Sequence, residues 1–221
     1  EVTTDADYGA EIARIRSESR AKARSQVAVH APLMDTIRGT LARDAIVVKD
    51  ATIPAYTWGN RIMEVYEPRT SMHSASVAIG PGLPIALGAK IGRPDRQTVL
   101  IAGDGGFMLN IPELATAAQY NIGVVVLLFN DRGYGVLRNH QDQRFGGRRF
   151  AVDLHTPDFV KLAESMGVTA ERVDSAAGLR PALEKALGTA GPVLLDIDQL
   201  KVGVVQFPSA AQPSMSTSQR S

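Results

Sequence analysis

The sequence predicts an α/β protein: a parallel sheet with helices on both faces. Three observations carry this expectation. Residues 98–102 and 123–129 are short, nearly continuous apolar runs, the pattern of strands buried on both sides. Segments with apolar residues at helical spacing lie between such runs, and this alternation is that of βαβ units. Apolar residues make up 44% of the 221, enough to fill a core between the layers.

The elements follow in order along the chain. Residues 1–26 are polar and helix-prone, with Glu11, Arg14, Arg16, Glu18, Arg20, Lys22 and Arg24. Ile12 and Ile15 give that helix only a thin apolar stripe, so it has little to bury and suits a bridge to a neighbouring domain. Met34, Ile37 and Leu41 place a helix over 34–43, and 45–49 is a short strand ending at Asp50. Trp58 and Met63 suit a packed helix face. Residues 83–90 form a helix rich in small residues, 98–102 a strand, 112–120 a helix and 123–129 a strand. Helices over 157–167 and 179–187 precede a last strand at 192–197. The Pro-, Ser- and Gln-rich stretch 208–221 is expected to be disordered.

Composition narrows the function. Lys and Arg number 24 against 23 Asp and Glu, a net charge of +1, which argues against a nucleic-acid partner. The absence of Cys excludes disulfides and thiolate metal sites. No apolar run reaches the roughly 18 residues of a membrane span. No basic-then-apolar leader opens the chain, so a cytoplasmic setting is expected.

The chemistry concentrates between residues 98 and 135. The strand at 98–102 runs into Gly103-Asp104-Gly105-Gly106, and a helix start follows, with Asn110 able to cap it and Pro112 in the first turn. The next strand ends in Asn130-Asp131-Arg132-Gly133-Tyr134-Gly135. Neighbouring strands lie about 5 Å apart, so Asp104 and the Asn130-Asp131 pair converge at the carboxyl edge of the sheet, where open α/β sheets bind ligands. The glycines offer backbone N–H groups to phosphate oxygens, while a bare carboxylate there would repel them. A hard divalent cation resolves that conflict. Mg²⁺ takes one or two carboxylates together with phosphate and water oxygens. Asp104, Asp131 or Asn130, and a carbonyl near Gly133 fit this demand. Met108 and Ile85 interrupt the two candidate Gly-x-Gly-x-x-Gly patterns, and no Walker loop occurs.

Gly103-Asp104-Gly105 followed by Asn130-Asp131, which stand 26 and 27 residues after Asp104, resembles the signature of thiamine-diphosphate-dependent enzymes. The resemblance extends over about residues 30–200 and includes Ile79-Gly80-Pro81-Gly82-Leu83-Pro84, Glu113-Leu114-Ala115-Thr116-Ala117, Gly133-Tyr134-Gly135, Pro157-Asp158-Phe159 and Gly191-Pro192-Val193. Together these look like the C-terminal diphosphate-binding domain of the acetolactate synthase and benzoylformate decarboxylase group. The resemblance implies the thiamine-diphosphate-binding fold, with thiamine diphosphate and Mg²⁺ as cofactors. It implies Asp104, Asp131 and the Gly133 carbonyl as metal ligands. It places Thr52, Gly105, Gly106, Asn130, Tyr134 and Gly135 around the cofactor. Ile79 matches the apolar wedge that bends the cofactor into a V shape, and the Val77 carbonyl would accept from its exocyclic amine. Family members often carry Gly at the Val77 position and Asn at the Asp131 position.

The implied activity is decarboxylation or ligation of a 2-oxo acid, acetolactate synthase-like. The catalytic Glu of such enzymes has no counterpart here. It is expected from the pyrimidine-binding domain of a second subunit, in a homodimer or homotetramer. Residues 1–26 then read as a linker helix from a preceding domain, 27–200 as the thiamine diphosphate/Mg²⁺-binding domain and 201–221 as a tail. The whole would be a protein of roughly 500–600 residues. FAD would belong to a domain outside this chain. A stand-alone subunit of a two-chain decarboxylase and a non-catalytic module retaining the fold are the alternatives. His73 and His140 carry no assigned role, and His140 departs from the Trp of acetolactate synthases. The basic segment 138–149, with Arg138, Arg144, Arg148 and Arg149, is expected as a solvated loop hinged at Gly146-Gly147.

Overall fold

The computed structural model describes residues 6–205. Helices α1 (Ala6–Gln26) and α2 (Ala31–Thr40) lead into β1 (Ile46–Lys49), a π-helical turn (Ala55–Gly59) and β2 (Ser71–His73). Helix α3 (Gly82–Gly92), β3 (Thr98–Gly103), α4 (Asp104–Phe107), α5 (Glu113–Gln119) and β4 (Val124–Asn130) form the middle. Then come α6 (Gly135–Arg144), α7 (Phe159–Ser165), β5 (Thr169–Val173), α8 (Ala176–Gly188), β6 (Val193–Asp198) and α9 (Gln199–Val202).

The six strands form one sheet in the order β2-β1-β3-β4-β6-β5, and every pairing is parallel. The two-residue period of the strands builds the core. On β3 and β4, Val99, Ile101, Val125, Leu127 and Phe129 face one layer, with Leu33, Ile37, Trp58 and Leu183. Their sequence neighbours Leu100, Ala102, Val126 and Leu128 face the other, with Leu83, Leu114, Phe107 and Phe159. Both faces are covered over residues 99–102 of β3 and 124–129 of β4, which is why apolar residues run unbroken there.

The parallel sheet with helices on both faces is as expected, and all four expected strands are present. The short β2 and β5 and the single-turn elements lack enough periodicity to announce themselves. Two local expectations are corrected. Asn110 does not cap α5: Pro112 holds that place, and Asn110 Nδ2 donates to the Gly80 carbonyl at 3.0 Å. Residues 135–144 form a helix rather than a loop, and Arg138 is turned inward with its side chain 17% exposed. Helix α1 is exposed along most of its length, and Arg20 reaches Glu64 at 3.1 Å. The expectation of disorder for 208–221 falls outside the described residues. Among the described residues no helix is long and apolar enough to cross a membrane.

Candidate functional site

The chain crosses from β2 on one side of β1 to β3 on the other, and the connections separate at that point. A crevice opens there beyond the carboxyl ends of the strands, the usual ligand position in such sheets. Six segments line it: residues 51–53 after β1, Tyr56 in the π-helical turn, Val77 and Ile79 after β2, residues 103–106, Asp131 with residues 133–137, and Gln199 at the start of α9.

Asp104 and Asp131 lie on neighbouring strand ends, since β3 and β4 pair with Gly103 opposite Phe129. Both are buried. The Gly133 N–H donates to Asp104 Oδ2 at 2.9 Å, while Asp104 Oδ1 is buried without a partner. Burial, and then the charge of Asp131, push the Asp104 carboxyl up to about 7. Burial also raises Asp131, against the lowering pull of Arg138. Arg138 Nη1 reaches Asp131 Oδ2 at 3.2 Å, its Nε donates to Asp153 at 3.0 Å, and Nη2 donates to the Arg132 carbonyl at 3.2 Å. One guanidinium thus braces the loop from Asp131 to Gly133.

Two glycines are required by close approach. A Cβ on Gly105 would stand 2.7 Å from the Tyr134 ring. A Cβ on Gly135 would collide with the Asp131 carboxylate. Each leaves backbone open to the crevice, and Gly135 begins α6, whose first N–H groups lack helical partners.

The segment bearing Ile79 is held from two sides. Asp50 Oδ1 accepts from Gly80 N at 2.9 Å and Oδ2 from Gly82 N at 3.2 Å. Asn110 holds the Gly80 carbonyl from the opposite side. Ile79 keeps 44% exposure at the rim. Val77 has φ 56°, a left-handed backbone that a β-branched residue rarely adopts. Glycine, with no Cβ, adopts such a backbone without that cost.

The residues singled out by sequence therefore gather, with one exception. Thr52, Val77, Ile79, Asp104, Gly105 and Gly106 line the crevice, as do Asp131, Gly133, Tyr134 and Gly135. Asn130, expected at the cofactor, does not. Its Nδ2 donates to Asp196 at 3.0 Å, and it lines a separate cavity with Arg132, His155 and Arg172. The strand geometry separates consecutive side chains, so only one of the Asn130-Asp131 pair can enter the crevice. His73 borders a small hollow beside Lys49, and His140 is exposed on α6. Sequence reasoning missed Asp50, Asn110 and Gln199. An acid at a strand's carboxyl end was the only available signal for Asp50.

The donor set suits a hard cation. Among the described residues no group of three or more His, Cys, Asp or Glu side chains could hold a metal. Two carboxylates, one with an orphaned oxygen, leave room for backbone, water and phosphate oxygens, the environment Mg²⁺ takes.

The family model described as thiamine pyrophosphate enzyme, C-terminal TPP binding domain, matches residues 54–197. The chain is 40% identical over 141 residues to a probable acetolactate synthase large subunit of Methanococcus aeolicus, covering 63% of this chain and 24% of that protein. It is 33% identical over 201 residues to a probable 2-ketoarginine decarboxylase of Pseudomonas aeruginosa, covering 89% of this chain and 35% of that one. Among solved structures it resembles a thiamine diphosphate-dependent 4-hydroxybenzoylformate decarboxylase of Rhodococcus jostii RHA1. The TM-score is 0.71 at 31% identity, over 80% of this chain and 32% of that one. The chain thus spans about a quarter to a third of the length of these relatives.

Proposed function

Because the chain belongs to the thiamine pyrophosphate enzymes, as their C-terminal TPP-binding domain, we propose that it holds the Mg²⁺–diphosphate end of thiamine diphosphate in a 2-oxo-acid decarboxylase or carboligase. One observation carries the reading: Asp104 and Asp131 are buried together at the crevice, and Asp104 keeps an oxygen without a partner. An acid pair left this way is costly in isolation and is relieved by a divalent cation.

In this reading Asp104, Asp131 and the Gly133 carbonyl hold Mg²⁺. Gly105, Gly106, Tyr134, Gly135 and Thr52 surround the diphosphate, with backbone N–H groups donating to it. Ile79 would sit between the cofactor's two rings and so disfavour its extended form, and Asp50 and Asn110 hold the adjoining Gly80 backbone. The Val77 carbonyl accepts from the exocyclic amine. Asn130 orients the Asp131 turn, since its Oδ1 accepts from Arg132 N at 3.2 Å. When bound, the cofactor supplies the electron sink that decarboxylation requires.

The rest of the active site belongs to the whole protein. Residues 27–200 form the binding domain, and 1–26 lead from a preceding one. The proton-transferring Glu comes from the pyrimidine-binding domain of a second subunit, so the protein is at least a homodimer. FAD is no part of this proposal. Decarboxylation is favoured as the first activity to assay, because the two decarboxylase relatives match more of the chain than the acetolactate synthase does.

Calorimetry on the full-length protein tests the reading. Thiamine diphosphate with Mg²⁺ binds, and Asp104→Ala lowers the affinity at least a hundredfold. Equal binding by the variant defeats the metal assignment. Cofactor binding with no CO₂ released from a panel of 2-oxo acids favours a non-catalytic module.

A further inference from the structure

Gln199 sits where no motif directed attention. It opens α9 directly beyond β6, and β6 pairs with β4 so that Asp198 lies opposite Asn130. One residue further along each strand stand Gln199 and Asp131, and both line the crevice. Gln199 is 2% exposed. Its backbone carbonyl is used, accepting from Gly203 N at 2.9 Å, but its side-chain Oε1 is buried with no hydrogen-bond partner.

Such an atom calls for an explanation, because folded proteins satisfy nearly all buried polar groups. Five side-chain atoms among the described residues are buried without a partner: Arg38 Nε, Arg96 Nε, Thr98 Oγ1, Asp104 Oδ1 and Gln199 Oε1. Only the last two belong to an amide or carboxylate oxygen, and both residues line this one crevice. Phosphate oxygens and ionised carboxylates offer no hydrogen to an amide oxygen. A water held on a divalent cation does, and Mg²⁺ characteristically keeps water ligands. The outer partners of a metal's ligands orient them and tune affinity.

We propose that Gln199 is a further binding residue of the metal site, its Oε1 accepting a hydrogen bond from a water carried by the cation. The inference rests on the functional reading above and extends it to a residue that reading leaves without a role. Gln199 also ties the end of β6, through α9, to the site formed by β3 and β4.

The test uses full-length protein carrying Gln199→Met, which keeps length and shape but removes the acceptor. At saturating thiamine diphosphate the Mg²⁺ dissociation constant is expected to rise about tenfold. Without ligands the thermal midpoint is expected to stay level or rise, since an unpartnered buried amide has been removed. Unchanged Mg²⁺ affinity overturns the inference. Should Gln199→Met fail to fold, Gln199→Glu retains an acceptor and adds charge, and is expected to hold Mg²⁺ at least as tightly as the wild type. Weaker binding by that variant overturns the inference. Failure of the wild-type protein to bind thiamine diphosphate and Mg²⁺ is a different result, and it defeats the functional reading itself.

Discussion

Two buried polar clusters in this molecule obey opposite rules. Around His30 the bonding is closed. The Trp58 Nε1–H donates to His30 Nδ1 at 3.2 Å, and His30 Nε2 donates to the Gly203 carbonyl at 2.8 Å. Phe129 packs against both rings, with centroids 5.9 Å away in each case. A neutral imidazole has one donor and one acceptor, and both are used. At the crevice the bonding is open: Asp104 Oδ1 and Gln199 Oε1 have no partner, and two carboxylates share one burial site. A closed cluster ties segments distant in sequence into the fold. An open one spends stability on something that arrives later.

The largest test breaks the closed cluster. His30→Ala should cost about 3 kcal/mol in urea unfolding, from the cavity and the orphaned Trp58 N–H together. A loss below about 1 kcal/mol would mean the network is incidental. Burial lowers the His30 pKa below its ordinary value, against a smaller raising effect of the Gly203 carbonyl. The folded state therefore favours the neutral ring, and the unfolded chain binds the proton more readily. Stability from this residue is complete above the unfolded value of about 6.5 and declines as pH falls through and below it. Imidazole resonances of His30 should accordingly titrate below the ordinary histidine value.

A smaller effect of opposite sign is expected in the open cluster. Asp104→Asn should stabilise the ligand-free protein by about 2 kcal/mol at pH 8, while removing Mg²⁺ binding. Its carboxyl lies at about 7 in the fold, above its unfolded value, so the ionised form is the unfavourable one. The gain should therefore be full above pH 7 and fade as pH falls from there through 4, below which the wild-type group is protonated in both states. A thermal scan showing Asp104→Asn less stable at pH 8 would refute the contrast between the two clusters.

The smallest test concerns the rim. Val77→Gly relieves a left-handed backbone at a β-branched residue, partly offset by the greater freedom of Gly in the unfolded chain. A net gain of about 1 kcal/mol in chemical denaturation is expected. A loss would show that the Val77 side chain, 62% exposed here, contributes more than its backbone costs.

Much of this was legible in the residues themselves. The runs at 98–102 and 123–129 announce doubly buried strands because both faces of the sheet are covered. Gly103-Asp104-Gly105 and Asp131 announce the crevice because they end adjacent strands, and ten of the eleven named residues line it. Asn130 fails because spacing alone does not tell which of two consecutive side chains turns inward. Arg138 reads as solvated because charge count cannot reveal that Asp131 and Asp153 lie across a turn from it.

What the sequence determined by itself is whatever repeats within a short window: strand and helix periods, the glycine-rich turns, and acids at strand ends. The tertiary structure alone decided the partners of polar groups far apart in the chain. Asp50 meets Gly80 only because β1 borders β3, and His30 meets Trp58 and Gly203 only because three separate segments converge. Gln199 enters the crevice only because β6 inserts beside β4, ahead of β5 in the sheet. The physical reason is that local patterns are set by backbone geometry, whereas a buried side chain's role depends on strand order.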